Sequence, residues 1–258
     1  MEEKIDLRVY GNPSLPALVY LPGLHGDWTL ISGFRAAVAG HVHFVEMTYP
    51  RTLTWSLDDH ASAIEEELSK AGITRGWLIG ESFGSQPMWT LIAREKFRVQ
   101  GAVLAGGFVR YPGQQLLRTL DKLTVGALSF LFVTVMFGYA RIARFRYRRS
   151  PQTLATLNEF LARRREPMDR PAAQHRLHLV AENDARTTAM TTHIPLFGLT
   201  GLIDPIVPWP AVRRWLKRNS PALRDYRIVR RADHVVLTTA SKESARWVLE
   251  WMQSPVRD

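Results

Sequence analysis

Five residues constrain this chain more than any others: Gly80-Glu81-Ser82-Phe83-Gly84. They follow Arg75-Gly76-Trp77-Leu78-Ile79, a short apolar run with the look of a buried strand. They precede 85–93, Ser-Gln-Pro-Met-Trp-Thr-Leu-Ile-Ala, which reads as the start of a helix. A chain that passes from strand to helix within so few residues must turn sharply, and the serine then sits in a strained backbone conformation. Side chains two positions before and after it would collide with the flanking strand and helix, so glycine stands at both.

Two further segments belong with this one. Residues 193–201 read as a buried strand running into a turn, followed by Leu202-Ile203-Asp204-Pro205-Ile206-Val207-Pro208. An aspartate just past a strand end, held by prolines, is a fixed carboxylate. Residues 224–231 alternate as a strand, and Ala232-Asp233-His234-Val235-Val236 follow. The chain order is therefore Ser82, Asp204, His234. Earlier, a strand over 17–20 leads into Leu21-Pro22-Gly23-Leu24-His25-Gly26-Asp27.

On G-E-S-F-G, G-L-I-D-P-I-V-P, the late A-D-H and the early L-P-G-L-H-G-D, the sequence resembles the α/β-hydrolase superfamily over nearly its whole length. The resemblance implies a mostly parallel sheet with helices on both faces and an inserted helical cap. It implies a serine esterase or lipase-like activity. A serine hydroxyl is a poor nucleophile at neutral pH, so Ser82 needs a base to take its proton. His234 is the candidate base, and Asp204 would fix its tautomer and stabilise the imidazolium. Two backbone amides must face the oxyanion. In the family one comes from the residue after the nucleophile, here Phe83, and one from the loop after an early strand. Leu24, directly after Pro22-Gly23, is preferred there; an alignment on His25-Gly26 shifts the donor toward Asp27, whose carboxylate would repel an oxyanion.

Strands alternate with helices along most of the chain, which argues for a parallel sheet covered on both faces. The strands over 4–10 and 17–21 are too close in sequence for a crossover and are expected to pair as an antiparallel edge. Helices are expected over 31–39, 57–71, 209–218 and 242–252, the second with Ser56 as N-cap and Asp58 and Asp59 in its first turn. The alternation fails between 108 and 192, the family's cap position. This divides the chain into a core of 1–107 and 193–258 and a helical insertion of 108–192. Residues 123–140 carry no charge. A single membrane crossing there would put Ser82 and the pair Asp204 and His234 on opposite sides of the bilayer. The run therefore reads as a cap helix roofing an apolar pocket, with Phe132 and Met136 on its wall.

The net charge is +10, and Arg141, Arg144, Arg146, Arg148 and Arg149 follow the apolar run, with Arg163, Arg164 and Arg165 soon after. They could meet anionic headgroups, or an acidic substrate group such as a phosphate, or form a solvated surface. No recognised nucleic-acid module accompanies them, so no nucleic-acid partner is expected. With 258 residues, 46% of them hydrophobic, the chain can fold as one enzyme-sized unit. The absence of cysteine excludes a disulfide scaffold and a cysteine nucleophile. The charged start, Met1-Glu2-Glu3-Lys4, has no apolar signal segment, so a cytoplasmic location is expected, with peripheral contact at a membrane as the variation. His41 with His43 and His175 with His178 lack a carboxylate at ligand spacing, so no metal or cofactor is expected. Asp184 and Asp225 are the alternative acids; Asp233 cannot easily face the ring of its own neighbour. The expected substrate is a small ester or thioester with an apolar acyl group. Acyl transfer by the same triad, or ligand binding without catalysis, are the competing functions.

Overall fold

The computed structural model describes residues 3–115, 138, 145, 148, 151–163 and 166–253. Its centre is a seven-stranded sheet in the order β1-β3-β2-β4-β5-β6-β7. The strands are β1 (Asp6–Tyr10), β2 (Ala17–Leu21), β3 (His43–Thr48), β4 (Arg75–Glu81), β5 (Arg98–Ala105), β6 (Leu196–Gly201) and β7 (Leu223–Val229). Every pairing is parallel except that of β1 with β3, where Asp6 faces Thr48 and Tyr10 faces Phe44.

That pairing corrects the expected antiparallel edge of β1 with β2. The six residues after β1 carry the chain past β3, and β2 enters on its far side, parallel to it. Burial explains the choice. All five residues of β2, Ala-Leu-Val-Tyr-Leu, are buried, whereas β1, Asp-Leu-Arg-Val-Tyr, has none buried. A strand that is apolar on both faces needs a neighbour on each side, and the charged strand takes the rim.

Period-two alternation sends side chains of one strand to two cores. Val19, Leu21 and Leu78 join one apolar cluster with α2 (Leu57–Lys70) and α3 (Ser85–Arg94). Leu18, Tyr20, Trp77 and Ile79 join the other, with α1 (Ser32–Val38) and, at the end of the chain, a helix over Ser241–Gln253. Helix α2 begins with a reciprocal cap. The Ser56 hydroxyl accepts from the Asp59 amide, and the Asp59 carboxylate accepts from the Ser56 amide. The Ser56 hydroxyl also donates to the Asp59 carboxylate at 2.7 Å, and that bond, followed by the one from the Ser56 amide, holds the Asp59 carboxyl below its usual range.

Between β5 and β6 the described residues include α4 (Pro151–Arg163), α5 (Asp169–Glu182) and α6 (Arg186–Thr191), and no strand. Ala173, Leu177 and Val180 of α5 and Ala189 of α6 belong to the same apolar cluster as α2 and α3. After β6 come α7 (Trp209–Asn219), then β7, α8 (Val236–Thr239) and α9 (Ser241–Gln253). The apolar run 123–140 with Phe132 and Met136, and the arginines at 141, 144, 146, 149, 164 and 165, lie outside the described residues. Among the described residues no helix is long and apolar enough to cross a membrane. Because β2 and β4 to β7 run parallel, the loops that leave them gather at one end of the sheet. That is where open parallel sheets place their sites.

Candidate active site

Strand β4 ends at Glu81, and Ser82–Gly84 form one turn of 3₁₀ helix before α3 begins. Ser82 has φ +51°, a left-handed conformation that costs a non-glycine residue about 1–3 kcal/mol. The flanking glycines explain how the turn closes. A Cβ on Gly80 would lie 2.8 Å from Gly84 O and the Ser85 backbone, and one on Gly84 would lie 2.1 Å from Leu21 O. The Ser85 hydroxyl caps the turn by donating to Ser82 O at 2.7 Å. Ser82 itself is half-buried, within reach of a ligand.

His234 lies in the loop between β7 and α8 and is buried. Its Nε2 is 2.8 Å from Ser82 Oγ, and its Nδ1 is 2.8 Å from Asp204 Oδ2. A carboxylate acceptor on Nδ1 assigns the ring proton there and leaves Nε2 to accept from the serine hydroxyl. Asp204, past the end of β6, is held in turn. Its Oδ1 accepts from the amides of Ile206 at 2.8 Å and Val207 at 2.9 Å. Burial works to lower the affinity of His234 for a proton. The bond to Asp204 and the charges of Asp204, Glu81 and Asp233 outweigh it, so the net shift is upward.

The loop after β2 lies beside the serine turn. Leu24 is buried, as is the ring of Phe83, which makes edge contacts with Tyr49 and His60. Gly26 N–H donates to Gly23 O at 2.9 Å, closing a turn around Leu24. Asp27, the donor position in the second alignment, is buried, and its carboxylate accepts from the backbone and hydroxyl of Thr29.

The remaining candidates lie elsewhere. Asp184 is paired with Arg186 at 2.6 Å. Asp225 accepts from Arg227 at 2.6 Å and from the indole of Trp251 at 3.1 Å. Asp233 accepts from the Val235 amide and the Thr239 hydroxyl, turned into the start of α8. His175 contacts Trp55 O, and His178 lies 3.5 Å from Glu182. Among the described residues no three His, Cys, Asp or Glu groups are placed to hold a metal ion.

Two residues around the site were not singled out from the sequence. Glu81 is buried, its Oε2 accepts from Tyr20 Oη at 2.6 Å, and among the described residues its Oε1 has no partner. Burial pushes its carboxyl up to about 7, against the opposing pull of the Tyr20 bond and the charge of His234. The available signal was a charged residue following Leu78-Ile79-Gly80 on a buried strand. Arg176 is also buried, on the face of α5 that carries Ala172, Ala173, Leu177 and Val180. The signal was an arginine at the spacing of an apolar stripe.

No family model and no curated protein matches this sequence. Many solved structures match its fold. An enol-lactonase from Burkholderia xenovorans LB400 superposes with a TM-score of 0.74 at 18% identity, covering 97% of this chain and 96% of that one. A thermophilic esterase from Thermogutta terrifontis gives 0.75 at 16% identity, covering 96% and 93%. A hydrolase from Pseudomonas aeruginosa PA01 gives 0.77 at 13% identity, covering 97% and 94%. Their agreement over the whole length, with the parallel sheet and the serine turn at the end of β4, establishes that this chain has the α/β-hydrolase fold.

Proposed function

We propose that the protein is a serine hydrolase that cleaves a carboxylic ester or thioester of an apolar acyl group through an acyl-enzyme. The observation that carries this reading is the chain of two 2.8 Å hydrogen bonds from Ser82 through His234 to Asp204. In the first half-reaction Ser82 Oγ adds to the acyl carbon while its proton passes to His234 Nε2. The imidazolium so formed is held by Asp204. The carbonyl oxygen, now an anion, takes hydrogen bonds from the amides of Leu24 and Phe83. Collapse of this intermediate breaks the bond to the alcohol or thiol, which leaves with the proton from His234. Water then adds to the acyl-serine, giving its proton to His234, and the carboxylic acid departs as Ser82 is reprotonated.

Residues 108–192 act in this reading as the cap over the site. The apolar acyl preference rests on the uncharged run 123–140. It gains support from a small apolar cluster of Leu30, Leu157 and Phe160, with Leu161 and Val235 packed against it, next to His234 in the chain. The esterases and the enol-lactonase that share the fold act on esters by their names, which agrees with the reaction type. The test is labelling by a fluorophosphonate together with turnover of p-nitrophenyl esters from acetate to palmitate, with and without a competing alcohol. Ser82→Ala should lose both labelling and turnover while keeping the wild-type melting temperature. Labelling that persists in the alanine variant would sink the assignment, and capture of the acyl group by the alcohol in preference to water would make the enzyme a transferase.

A further inference from the structure

The guanidinium of Arg176 is buried at the junction of three segments. Its Nη1 donates to Leu24 O at 3.0 Å and its Nη2 to Pro50 O at 3.0 Å. Leu24 belongs to the loop after β2, Pro50 to the loop after β3, and the arginine to α5 in the insertion. Its Cζ also lies 5.7 Å from the centre of the Tyr49 ring, which makes an edge contact with Phe83.

The peptide planes show what this contact does. The Leu24 N–H shares a plane with Gly23 C=O, and a trans peptide holds the two in opposite directions. Gly23 O is fixed toward the Gly26 amide, so the Leu24 N–H is fixed away from that turn. The next plane carries Leu24 C=O, and Arg176 fixes it. Both planes flanking Leu24 are thus held, one from within the loop and one from α5. Gly26 is part of the same construction. It has φ +79°, and a Cβ there would lie 2.6 Å from the Arg176 Cζ. The loop leaves a side-chain-sized gap at Gly26, and the guanidinium fills it. The Gly26 carbonyl accepts from the Tyr49 amide at 2.8 Å, which ties the turn to the same stretch of chain that Arg176 grips at Pro50.

We infer that Arg176 is a positioning residue for oxyanion binding, through which the inserted helix α5 holds the Leu24 amide in its working orientation. This rests on the reading of Leu24 as an oxyanion donor. A preorganised donor contributes to catalysis because it does not have to reorient as charge develops. If Arg176 were removed, Leu24 C=O would have to find another donor, the plane it shares with the His25 N–H would be free to rotate, and Leu24 would be held only through the Gly23–Gly26 bond on its other side. The loss would fall on the transition state and leave ground-state binding of the acyl chain unchanged.

Arg176→Met, which keeps the length of the stem and removes both donors, tests this beside Asp169→Asn. The second variant weakens another tie of α5 to the core, the 2.8 Å pair of Asp169 with Arg51, and leaves both hydrogen bonds of Arg176 to Leu24 and Pro50 in place. Loss of one oxyanion donor lowers kcat about 100-fold. Arg176→Met leaves the donor in place and loosens one of its two supports, so it is expected to lower kcat by about 10-fold or more, up to about that factor, with KM within about threefold, and to weaken a boronic acid or trifluoromethyl ketone inhibitor in parallel. Asp169→Asn should lower the melting temperature with kcat and inhibitor affinity close to wild type. Guanidinium ions added to Arg176→Ala should restore part of kcat, and methylammonium should not. If Arg176→Met does not fold, Arg176→Lys is measured in its place. A lysine can reach only one of the two carbonyls at a time, so a clear loss of kcat is expected there too. Wild-type kcat and inhibitor affinity in the Met or Lys variant would overturn the inference. So would an equal loss of kcat in Asp169→Asn, because the effect would then be general anchoring of α5. Absence of esterase activity and Ser82 labelling in the wild-type protein would instead overturn the hydrolase reading on which the inference rests.

Discussion

Replacing Glu81 by glutamine should change how the stability of this protein depends on pH, and the buried carboxyl sets the size of the change. Glu81 lies under the site, facing Tyr20 from β2, and its charge acts on His234 and Asp233. Tyr20 also feels the charge of Asp27 from the loop after β2. Burial raises the Glu81 carboxyl from 4.5 to about 7. A factor of ten in proton affinity is about 1.4 kcal/mol, so the full displacement corresponds to about 3 kcal/mol. The sign follows from which state binds more protons. Below pH 4.5 the carboxyl is protonated in both states. Between 4.5 and 7 the unfolded chain ionises first while the folded protein keeps its proton, so stability falls as pH rises. Above 7 both states are ionised, and the folded state carries the whole cost of a buried charge.

Glutamine has no such titration. It can still accept from Tyr20 Oη, but it places a donor where Glu81 Oε1 has no partner among the described residues, a penalty of about 1–3 kcal/mol that does not vary with pH. Urea unfolding followed by tryptophan fluorescence at pH values from 4.5 to 8 would separate the constant from the slope. The stability of Glu81→Gln relative to wild type should improve by about 3 kcal/mol across that range. His234, whose proton affinity is also raised in the folded state, loses stability in the same direction as pH rises. Removing the Glu81 charge weakens that contribution too, so it reinforces the sign. Curves for the two proteins that run parallel from pH 5 to 8 would refute the reasoning and place Glu81 in contact with water or a counter-charge.

Activity should follow the same charges. In the proposed mechanism attack by Ser82 needs neutral His234, whose proton affinity is raised, so kcat/KM should fall as pH drops through a value above 6.5, and in Glu81→Gln that acid limb should move to lower pH. Asp204→Asn should lower kcat about 10⁴-fold with the melting temperature little changed, whereas Asp184→Asn and Asp225→Asn should leave kcat near wild type; the reverse result would transfer the acid role. If Phe132 and Met136 line the acyl pocket as proposed, Phe132→Asp or Met136→Asp should depress kcat/KM on palmitate esters more than on acetate esters, and an unchanged chain-length profile would refute that proposal.

Much of the fold was legible because its signals are local. Ala17 to Leu21 is apolar without a break, and only a strand buried on both faces can use such a run. Ser56 and Asp59 announce the start of α2 within four residues, and Gly80 and Gly84 announce the serine turn within five. The order Ser82, Asp204, His234 could be read because each follows a recognisable strand, and parallel strands deliver their C-terminal loops to one end of the sheet. The partner of β1 was not legible. Its sequence shows that it is a strand, but the choice between β2 and β3 depended on which strand could bear exposure at the rim.

The buried charges were hidden for a different reason. Apolar burial needs only another apolar surface, so a stripe on one element predicts itself. A buried arginine needs particular acceptors, and those of Arg176 include carbonyls of Leu24 and Pro50, 152 and 126 positions away in the chain. Backbone carbonyls leave no mark in a sequence, since every residue has one. Its place on an apolar stripe marks Arg176 as facing inward but says nothing of what it meets, and Gly26 looks like an ordinary turn glycine. Together they form one device, because the space that Gly26 leaves open is the space the guanidinium occupies. Neither can be replaced freely while the other stays. Gly26→Ala would drive a methyl into the arginine, and loss of the arginine would leave a polar cavity lined by two carbonyls without their donors. The dependence is pairwise and long-range, so it becomes readable only when the two positions are seen in one place.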